Sequence, residues 1–364
     1  MKKQIAIAMG LAVLSTGALA SKARLEALGQ GANGSMWLDD ARNVVLNPAM
    51  LNFHKDFITM EWGKTNNGAT ADQDSAAAPK AEGGMFKAAG NMVYGLYFGE
   101  ESNTSNYLRT ISGTVEESNN KTFYVAGDAG VQWGVKLLHH DYKKDSTDTK
   151  SSAMRTTIGI ISGDIEGYAN IGLGNTAEVG AAEFKGNSSY DIAVTYGMGD
   201  VDYMLQLESI NAENAAGDEF KAQNTALGMA KTYKLNDKAT AWASAWYNMD
   251  SGTDDITGAG DTKSTSLPVT IALEVSAKDW LALRGSVTSN IIGEEEADNG
   301  DKNTIEDSTV VAAGASLLFG DLTIDGMIGN NSDTTAVAAG DTSGGNGTLR
   351  SDTLMSRVSM TYKF

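Results

Sequence analysis

The chain has 364 residues, a formal net charge of −18 and no cysteine. The lack of cysteine excludes a disulfide framework and thiolate chemistry. The acidic balance argues against a nucleic-acid partner, because no basic stripe could neutralise phosphates. Forty-one glycines against three prolines suit tight turns better than disorder.

The first twenty residues have the pattern of a cleavable export signal. Two lysines precede an apolar run from Ile5 to Leu14, which is too short to span a bilayer, and Ala18-Leu19-Ala20 follows. We expect residues 1–20 to be a signal peptide that directs export through the inner membrane. The sequence after it has no apolar stretch long enough for a transmembrane helix, so a membrane location would require a closed β-barrel.

Residues 21–52 show no period-two pattern. Ser21 to Gly29 predicts a short helix, with Ser21 as its N-cap and Gly29 as its stop. Two interpretations are open for this segment, a periplasmic tail or a plug that enters a barrel lumen. Trp37 and Leu46 favour the plug, because they need something to pack against. The residues expected to form it include Arg24, Trp37, Asp39, Asp40 and Arg42.

Residues 53–364 predict a transmembrane antiparallel up-and-down β-barrel, an all-β fold. Segments of about ten alternating residues are separated by very short and by long polar connections in turn. The short connections lie at residues 89–91, 127–130, 162–164, 197–200, 235–238, 277–279 and 319–321. The long ones lie near residues 64–81, 100–119, 143–150, 176–186, 212–220, 251–263, 294–305 and 332–349. Seven turns and eight loops require sixteen strands, or fourteen if the short strand near Thr122 to Ala126 and one neighbour are dropped.

Several predicted strands have one apolar and one polar face. Leu267 to Val275 and Tyr190 to Tyr196 carry apolar residues at every second position, which we expect to face lipid. Aromatic residues cluster beside the short turns, as in an interfacial girdle. These are Tyr196, Tyr203, Tyr233, Trp280, Phe319, Tyr362 and Phe364. Residues 224–235 and 240–248 alternate poorly, with Trp242 and Trp246 on the same face as Ser244, and we expect this region to meet another subunit.

The opposite faces predict the residues that line a water-filled pore. They are Lys136, Arg155, Glu166, Asp191, Asp202, Glu208, Glu274, Arg284, Asp325 and Arg357. Acidic residues outnumber basic ones in this set, so cations should pass more easily. A hairpin centred on Asp279 would place Glu274 directly opposite Arg284.

The sequence offers little for catalysis, metal binding or a cofactor. Histidine occurs only at His54, His139 and His140, and neither a zinc-protease nor a nucleophile-elbow motif is present. His140 and Asp141 would point to opposite faces of one strand, so they cannot form a dyad alone. The acidic run from Glu294 to Asp301 lacks EF-hand spacing and predicts a solvated external loop. We expect no enzyme activity, no cofactor and no metal site.

The C-terminal residues Val358-Ser359-Met360-Thr361-Tyr362-Lys363-Phe364 resemble the signal by which the barrel assembly machinery recognises outer-membrane barrels. The resemblance implies that Val358, Met360, Tyr362 and Phe364 face lipid and form the assembly signal. The overall pattern resembles a general diffusion porin, which implies contact with outer-membrane lipid and lipopolysaccharide and assembly as a homotrimer. Trp37 to Ala49, with Glu61-Trp62-Gly63, is similar to the start of porin-like major outer-membrane proteins of predatory Gram-negative bacteria.

A second resemblance concerns residues 39–49. Asp39-Asp40-Ala41 through Leu46-Asn47-Pro48-Ala49 is similar to the N-terminal region of the long-chain fatty acid transporter family, although Met50 stands where that family has glycine. This resemblance implies a hatch inside the lumen and transport of hydrophobic compounds. We expect an outer-membrane porin for small hydrophilic solutes with mild cation preference. The alternatives are a hydrophobic transporter and a structural or adhesive barrel without a conducting lumen.

Overall fold

The computed structural model describes residues 21–64, 80–100, 120–304, 309–330 and 354–364. Within those ranges the chain forms a single antiparallel sheet. Its strands are β1 (Phe57–Lys64), β2 (Lys80–Ala89), β3 (Met92–Phe98), β4 (Lys121–Asp128), β5 (Gln132–Lys144), β6 (Thr149–Ser162), β7 (Ile165–Val179), β8 (Ala182–Gly186), β9 (Tyr190–Met198), β10 (Val201–Asn214), β11 (Glu219–Asn236), β12 (Ala239–Asp254), β13 (Gly260–Lys278), β14 (Leu281–Ala297), β15 (Lys302–Thr304), β16 (Thr309–Phe319), β17 (Leu322–Asn330) and β18 (Leu354–Lys363).

The sheet closes into a barrel because β1 pairs with β2 on one side and with β18 on the other. Phe57 stands opposite Phe86 across one pair and opposite Lys363 across the other. Sixteen strands form the wall, which confirms the predicted count. The other two are short additions: β8 pairs with β7 and β10, and β15 pairs with β14.

All seven predicted short turns are present at one end of the barrel, here called the short-turn end. Glycine supplies the left-handed backbone that such hairpins need, as at Gly90 with φ 61° and Gly320 with φ 62°. The short strand β4 is a full member of the wall, so the fourteen-strand alternative is wrong.

The opposite, long-loop end differs in part from the prediction. Strands β10 to β14 have 14 to 19 residues each, more than the 9 to 11 that cross a bilayer. Sequence expected to be loop near 212–220 and 251–263 therefore mostly continues these strands beyond the membrane. The predicted signal peptide, and most of the loops predicted at 64–81, 100–119 and 332–349, lie outside the described residues.

The outer face of the wall is apolar. Ile271 and Leu273 on β13, and Tyr190 and Val194 on β9, are exposed, as predicted. The girdle aromatics are also exposed at the short-turn end, and Phe319 has 57% of its surface free. Apolar surface of this extent on a closed barrel is suited to lipid, because every backbone group of the wall can pair within the sheet.

The N-terminal segment, residues 21–56, precedes the first strand and is mostly buried. It contains helix α1 (Lys22–Ala27), helix α2 (Asn43–Leu46) and a 3₁₀ helix (Pro48–Asn52). The predicted cap and stop are confirmed, since Ser21 Oγ accepts a hydrogen bond from Arg24 N and Gly29 has φ 70°. A second 3₁₀ turn, Asp145–Thr147, joins β5 to β6. Among the described residues, no helix is both long and apolar enough to cross a membrane.

Candidate functional site in the barrel lumen

The N-terminal segment lies inside the barrel. Helix α1 packs against the inner face of β14, β16, β17 and β18, and the 3₁₀ helix packs against β4, β5 and β6. The close approach depends on glycines in the wall. A methyl group at Gly134 would lie 2.3 Å from the carbonyl oxygen of Pro48. At Gly159 a methyl group would lie 1.8 Å from Asn47 Oδ1. The wall is therefore shaped to receive this segment.

A buried group of charges, the Arg24 cluster, joins the segment to β13, β14 and β17. Arg24 donates to both carboxylate oxygens of Glu274 at 3.0 and 3.1 Å, and to Asp40 Oδ2 at 2.7 Å. Arg284 lies 3.0 Å from Glu274 and 3.0 Å from Asp325. Arg24 is 3% exposed. The predicted cross-strand pair of Glu274 and Arg284 is present, but it is completed by an arginine from the N-terminal segment.

A second group, the Arg42 cluster, joins the segment to β1, β2 and β3. Arg42 forms ion pairs with Glu61 at 3.1 Å and Glu82 at 2.9 Å, and it also donates to the Tyr97 hydroxyl. The Lys22 ammonium lies 2.9 Å from Glu82, and the backbone N–H of Lys22 donates to Glu61 at 2.6 Å. Buried ion pairs of this kind add little net stability. They fix one position of the N-terminal segment, because removing either partner would leave a buried charge unpaired.

Two further ion pairs involve basic residues of the inner wall. Lys136 on β5 contacts Glu100 and donates to the carbonyl of Val45 in α2. Arg357 on β18 pairs with Glu26 of α1. Lys136, Arg284 and Arg357 of the wall are thus each paired with a neighbouring carboxylate.

Apolar residues of the segment pack against the opposite side of the lumen. The Trp37 ring lies 4.9 Å from the Trp246 ring, centroid to centroid, and Trp242 packs beside Leu25 and Leu38. This contact explains the poor alternation of β12. Trp242 and Trp246 point into the lumen and pack on the N-terminal segment, so these two side chains are not available to another subunit. Contact of the outer face of this region with another subunit stays a prediction.

In the part of the chain that the structure describes, two cavities on the inner face of the wall bear on function. The outer cavity, about 300 Å³ in volume, lies toward the long-loop end against β10 to β14. The inner cavity, about 60 Å³, lies between α2 and strands β5, β6, β7 and β9. Charged and polar side chains line both, so each is suited to water and hydrophilic groups.

One row of side chains crosses six neighbouring strands and links the two cavities. The strand registers place each member directly opposite the next, in the order Asp191, Glu208, Asn224, Asp250, Ser264 and Glu295. Asp191 lines the inner cavity, and Glu208, Asp250 and Glu295 line the outer one. We call this set the acidic row. Asp191 accepts hydrogen bonds from Gln206 at 2.9 Å and from Tyr168 at 3.0 Å.

The predicted pore-lining residues all belong to inward-facing positions, but they differ in their contacts. Glu274, Arg284, Asp325, Arg357 and Lys136 are bound in the ion pairs described above. The remaining predicted residues face the lumen, either beside the two cavities or closer to the short-turn end of the barrel. They are Arg155, Glu166, Asp191, Asp202 and Glu208, and Glu166 accepts a hydrogen bond from Asn47 at 3.0 Å.

Sequence reasoning missed Glu61, Glu82, Glu100 and Asp250. It was wrong to place Glu295 in a solvated external loop, because β14 continues to Ala297 and turns Glu295 toward the outer cavity. Glu61 follows Thr59 at a spacing of two, which places both on the inner face, and this spacing could have identified it. Glu82 and Glu100 border predicted loops, where a buried glutamate gives no periodic signal.

Two neighbouring aspartates of the N-terminal segment titrate differently. Burial raises the pKa of Asp40 above its ordinary value, although Arg24 opposes that shift. Burial also acts to raise the pKa of Asp39, but a hydrogen bond and charge from His54 outweigh it and lower that pKa. His54 Nε2 lies 2.9 Å from Asp39 Oδ1.

The closed wall and the filled lumen define a transmembrane β-barrel with an internal N-terminal segment. No family model and no curated protein matches the sequence. Among solved structures, the chain is similar to a bacterial polysaccharide outer membrane secretin, with TM-score 0.49 and 6% identity over 85% of this chain and 97% of that chain. It is similar to OmpT of Vibrio cholerae, with TM-score 0.39 and 13% identity over 85% and 97% of the two chains. A FadL homologue of Pseudomonas aeruginosa gives TM-score 0.40 and 10% identity over 95% and 98%.

Proposed function

We propose that this protein is an outer-membrane channel for small hydrophilic solutes with a preference for cations. Solutes enter the outer cavity on β10 to β14, follow the acidic row and reach the inner cavity, which lies between the N-terminal segment and the wall. Transport is passive, and no bond is cut.

The distribution of charge supports this proposal. Lys22, Arg24, Arg42, Arg284 and Arg357 are each bound to one or more carboxylates. The acidic row faces the cavities, which are also bordered by Lys263 in the outer one and by Lys136 and Arg155 in the inner one. Over both cavities, five acidic side chains face three basic ones, and the excess lies in the outer cavity, which favours entry of cations over anions.

The experiment is single-channel recording of the purified protein in planar bilayers. We expect ohmic steps and a reversal potential that favours potassium over chloride in a salt gradient. Deletion of residues 21–50 should raise the conductance, because that segment occupies the lumen. A silent wild-type protein, or one that selects chloride, would contradict the proposal.

The resemblance to the long-chain fatty acid transporter family supports one alternative, a transporter of hydrophobic compounds. The internal N-terminal segment agrees with that resemblance, whereas the charged lining of both cavities favours hydrophilic cargo. Retention of lipid in the purified protein, together with the absence of conductance, would favour this alternative. Trimer formation, contact with lipopolysaccharide and the C-terminal assembly signal are part of the proposal.

A further inference from the structure

We propose that the outer cavity is a binding site for a solute that carries an ammonium or guanidinium group next to a short apolar portion. This inference rests on the proposed function and names the class of solute that the channel selects. The site is built by two parallel rows of side chains on β10 to β14.

The first row supplies the charge. Glu208 and Asp250 flank Asn224, and Glu295 follows Ser264 across the next two strands. Neighbouring strands lie about 4.8 Å apart, so the backbones at successive carboxylates are about 10 Å apart. This spacing allows a single cationic group to contact two acidic side chains.

The polar neighbours in the row orient the central carboxylate. Asn224 Nδ2 donates to Asp250 Oδ1 at 2.6 Å, and Ser264 Oγ donates to Asp250 Oδ2 at 3.2 Å. These donors are already used by Asp250, so the row presents acceptors to the cavity. Acceptors and negative charge together match a ligand that donates N–H groups.

The second row, one step toward the long-loop end, supplies an apolar surface. Ile210, Ala222 and Gly252 stand directly opposite one another on β10, β11 and β12, and each lines the cavity. Phe220 lies beside them and also lines it. Because Ala222 and Gly252 are small, their positions leave room for the ligand to occupy.

An organic cation fits this site better than a metal ion. In the described part of the chain, no three histidine or acidic side chains are grouped closely enough to hold a metal. The cavity volume of about 300 Å³ is at the lower limit of small-molecule sites, which suits a ligand of about ten non-hydrogen atoms. The site would hold such a solute before it passes Glu208 and Asp191.

The matched control is on the same strand. Glu294 and Glu296 flank Glu295 in sequence, but both pair with Lys302 and neither lines the cavity. Glu295→Gln and Glu294→Gln therefore make the same chemical change on opposite faces of β14. Asp250→Asn and Phe220→Leu test the central carboxylate and the aromatic ring.

The test is isothermal titration of phenethylammonium into the full mature protein in detergent, with 2-phenylethanol and ethylammonium as partial probes. Partitioning into micelles is common to all variants and is subtracted by comparing them. We expect Glu295→Gln and Asp250→Asn to weaken binding by about fivefold each, as loss of one partly exposed charge-assisted contact does. Phe220→Leu should weaken it less, and Glu294→Gln should bind like wild type.

Equal weakening by Glu294→Gln, or wild-type affinity in Glu295→Gln, would overturn the site. Binding of 2-phenylethanol as tightly as phenethylammonium would overturn the role of the carboxylates. Conductance distinguishes the two proposals. A conducting, cation-selective protein that does not bind phenethylammonium retains the channel and loses this site. A silent protein that binds it through Glu295 retains the site and loses the channel.

Discussion

At the scale of single residues, the lumen is organised by arginines from the N-terminal segment. Arg24 reaches Asp40 within its own segment and Glu274 on the wall. A guanidinium can do this because its planar fork donates in several directions at once. The buried charges are tolerated only because each has an opposite partner in contact.

We expect Arg24→Gln to loosen the N-terminal segment without unfolding the barrel. Asp40 would lose its charged partner and Glu274 would keep only Arg284, which costs about 3 kcal/mol and corresponds to roughly 100-fold faster amide exchange in α1. Hydrogen exchange with mass spectrometry measures this. Lys150→Gln removes an exposed ion pair with Glu178 and is the control, which should leave exchange in α1 unchanged.

The lowered pKa of Asp39 predicts a pH effect. A carboxyl whose pKa is lowered by folding stabilises the folded state above its ordinary pKa, and this contribution is lost as the pH falls through the folded value. Between pH 5 and pH 3, protease resistance of the N-terminal segment should fall more in wild type than in Asp39→Asn. An identical loss in both proteins would assign the effect to other carboxyls.

At the scale of elements, two glycines decide where the 3₁₀ helix Pro48–Asn52 can lie. Strands β5 and β6 present Gly134 and Gly159 to it, and neither has space for a methyl group. The backbone of the segment thus touches the backbone of the wall. This contact sets the depth at which the segment docks.

Gly134→Ala should displace the 3₁₀ helix, because the new methyl group would meet the carbonyl of Pro48 at 2.3 Å. We expect faster proteolysis within residues 40–56 and a higher conductance, with the barrel still folded. Gly326→Ala on β17 is the matched control, since a methyl group there meets nothing within 4 Å. If Gly134→Ala were cut at the same rate as wild type, the position of the 3₁₀ helix would not depend on this contact.

The strands were predictable from sequence because side chains alternate with a fixed period. The faces of β9 and β13 follow from that period alone, and the register of Glu274 against Arg284 follows from the position of the turn at Asp279. The period fails on β12, where Trp242 and Trp246 face inward and pack on a segment far away in sequence. Contacts between the N-terminal segment and the wall have no periodic signal, so the clusters around Arg24 and Arg42 could not be predicted.

At the scale of the whole molecule, the apolar outer wall determines the environment that the barrel needs. Ile158 is 48% exposed on the outer face of β6, near the middle of the strand. Ser152 lies on the same face and strand, six residues toward the long-loop end. The two positions differ mainly in depth within a bilayer, since six residues span about 20 Å.

We expect Ile158→Arg to destabilise the barrel in vesicles by about 2–4 kcal/mol, because a charge near the bilayer centre loses its hydration. Ser152→Arg should change stability by less than about 1 kcal/mol, since its position is near the aqueous boundary. Denaturant unfolding in lipid vesicles measures both. Equal effects of the two substitutions would mean that this wall does not face lipid.

The N-terminal segment bridges the strands that join the two ends of the wall. Lys22 and Arg42 bind β1 and β2, Ser21 donates to Asp325 on β17, and Arg357 of β18 binds Glu26. These partners come together only once β18 has paired with β1. The docking site is therefore created by completion of the cylinder, and a half-built wall has nowhere to receive the segment. Protection of the α1 amides from hydrogen exchange therefore reports when the last step of barrel assembly is complete.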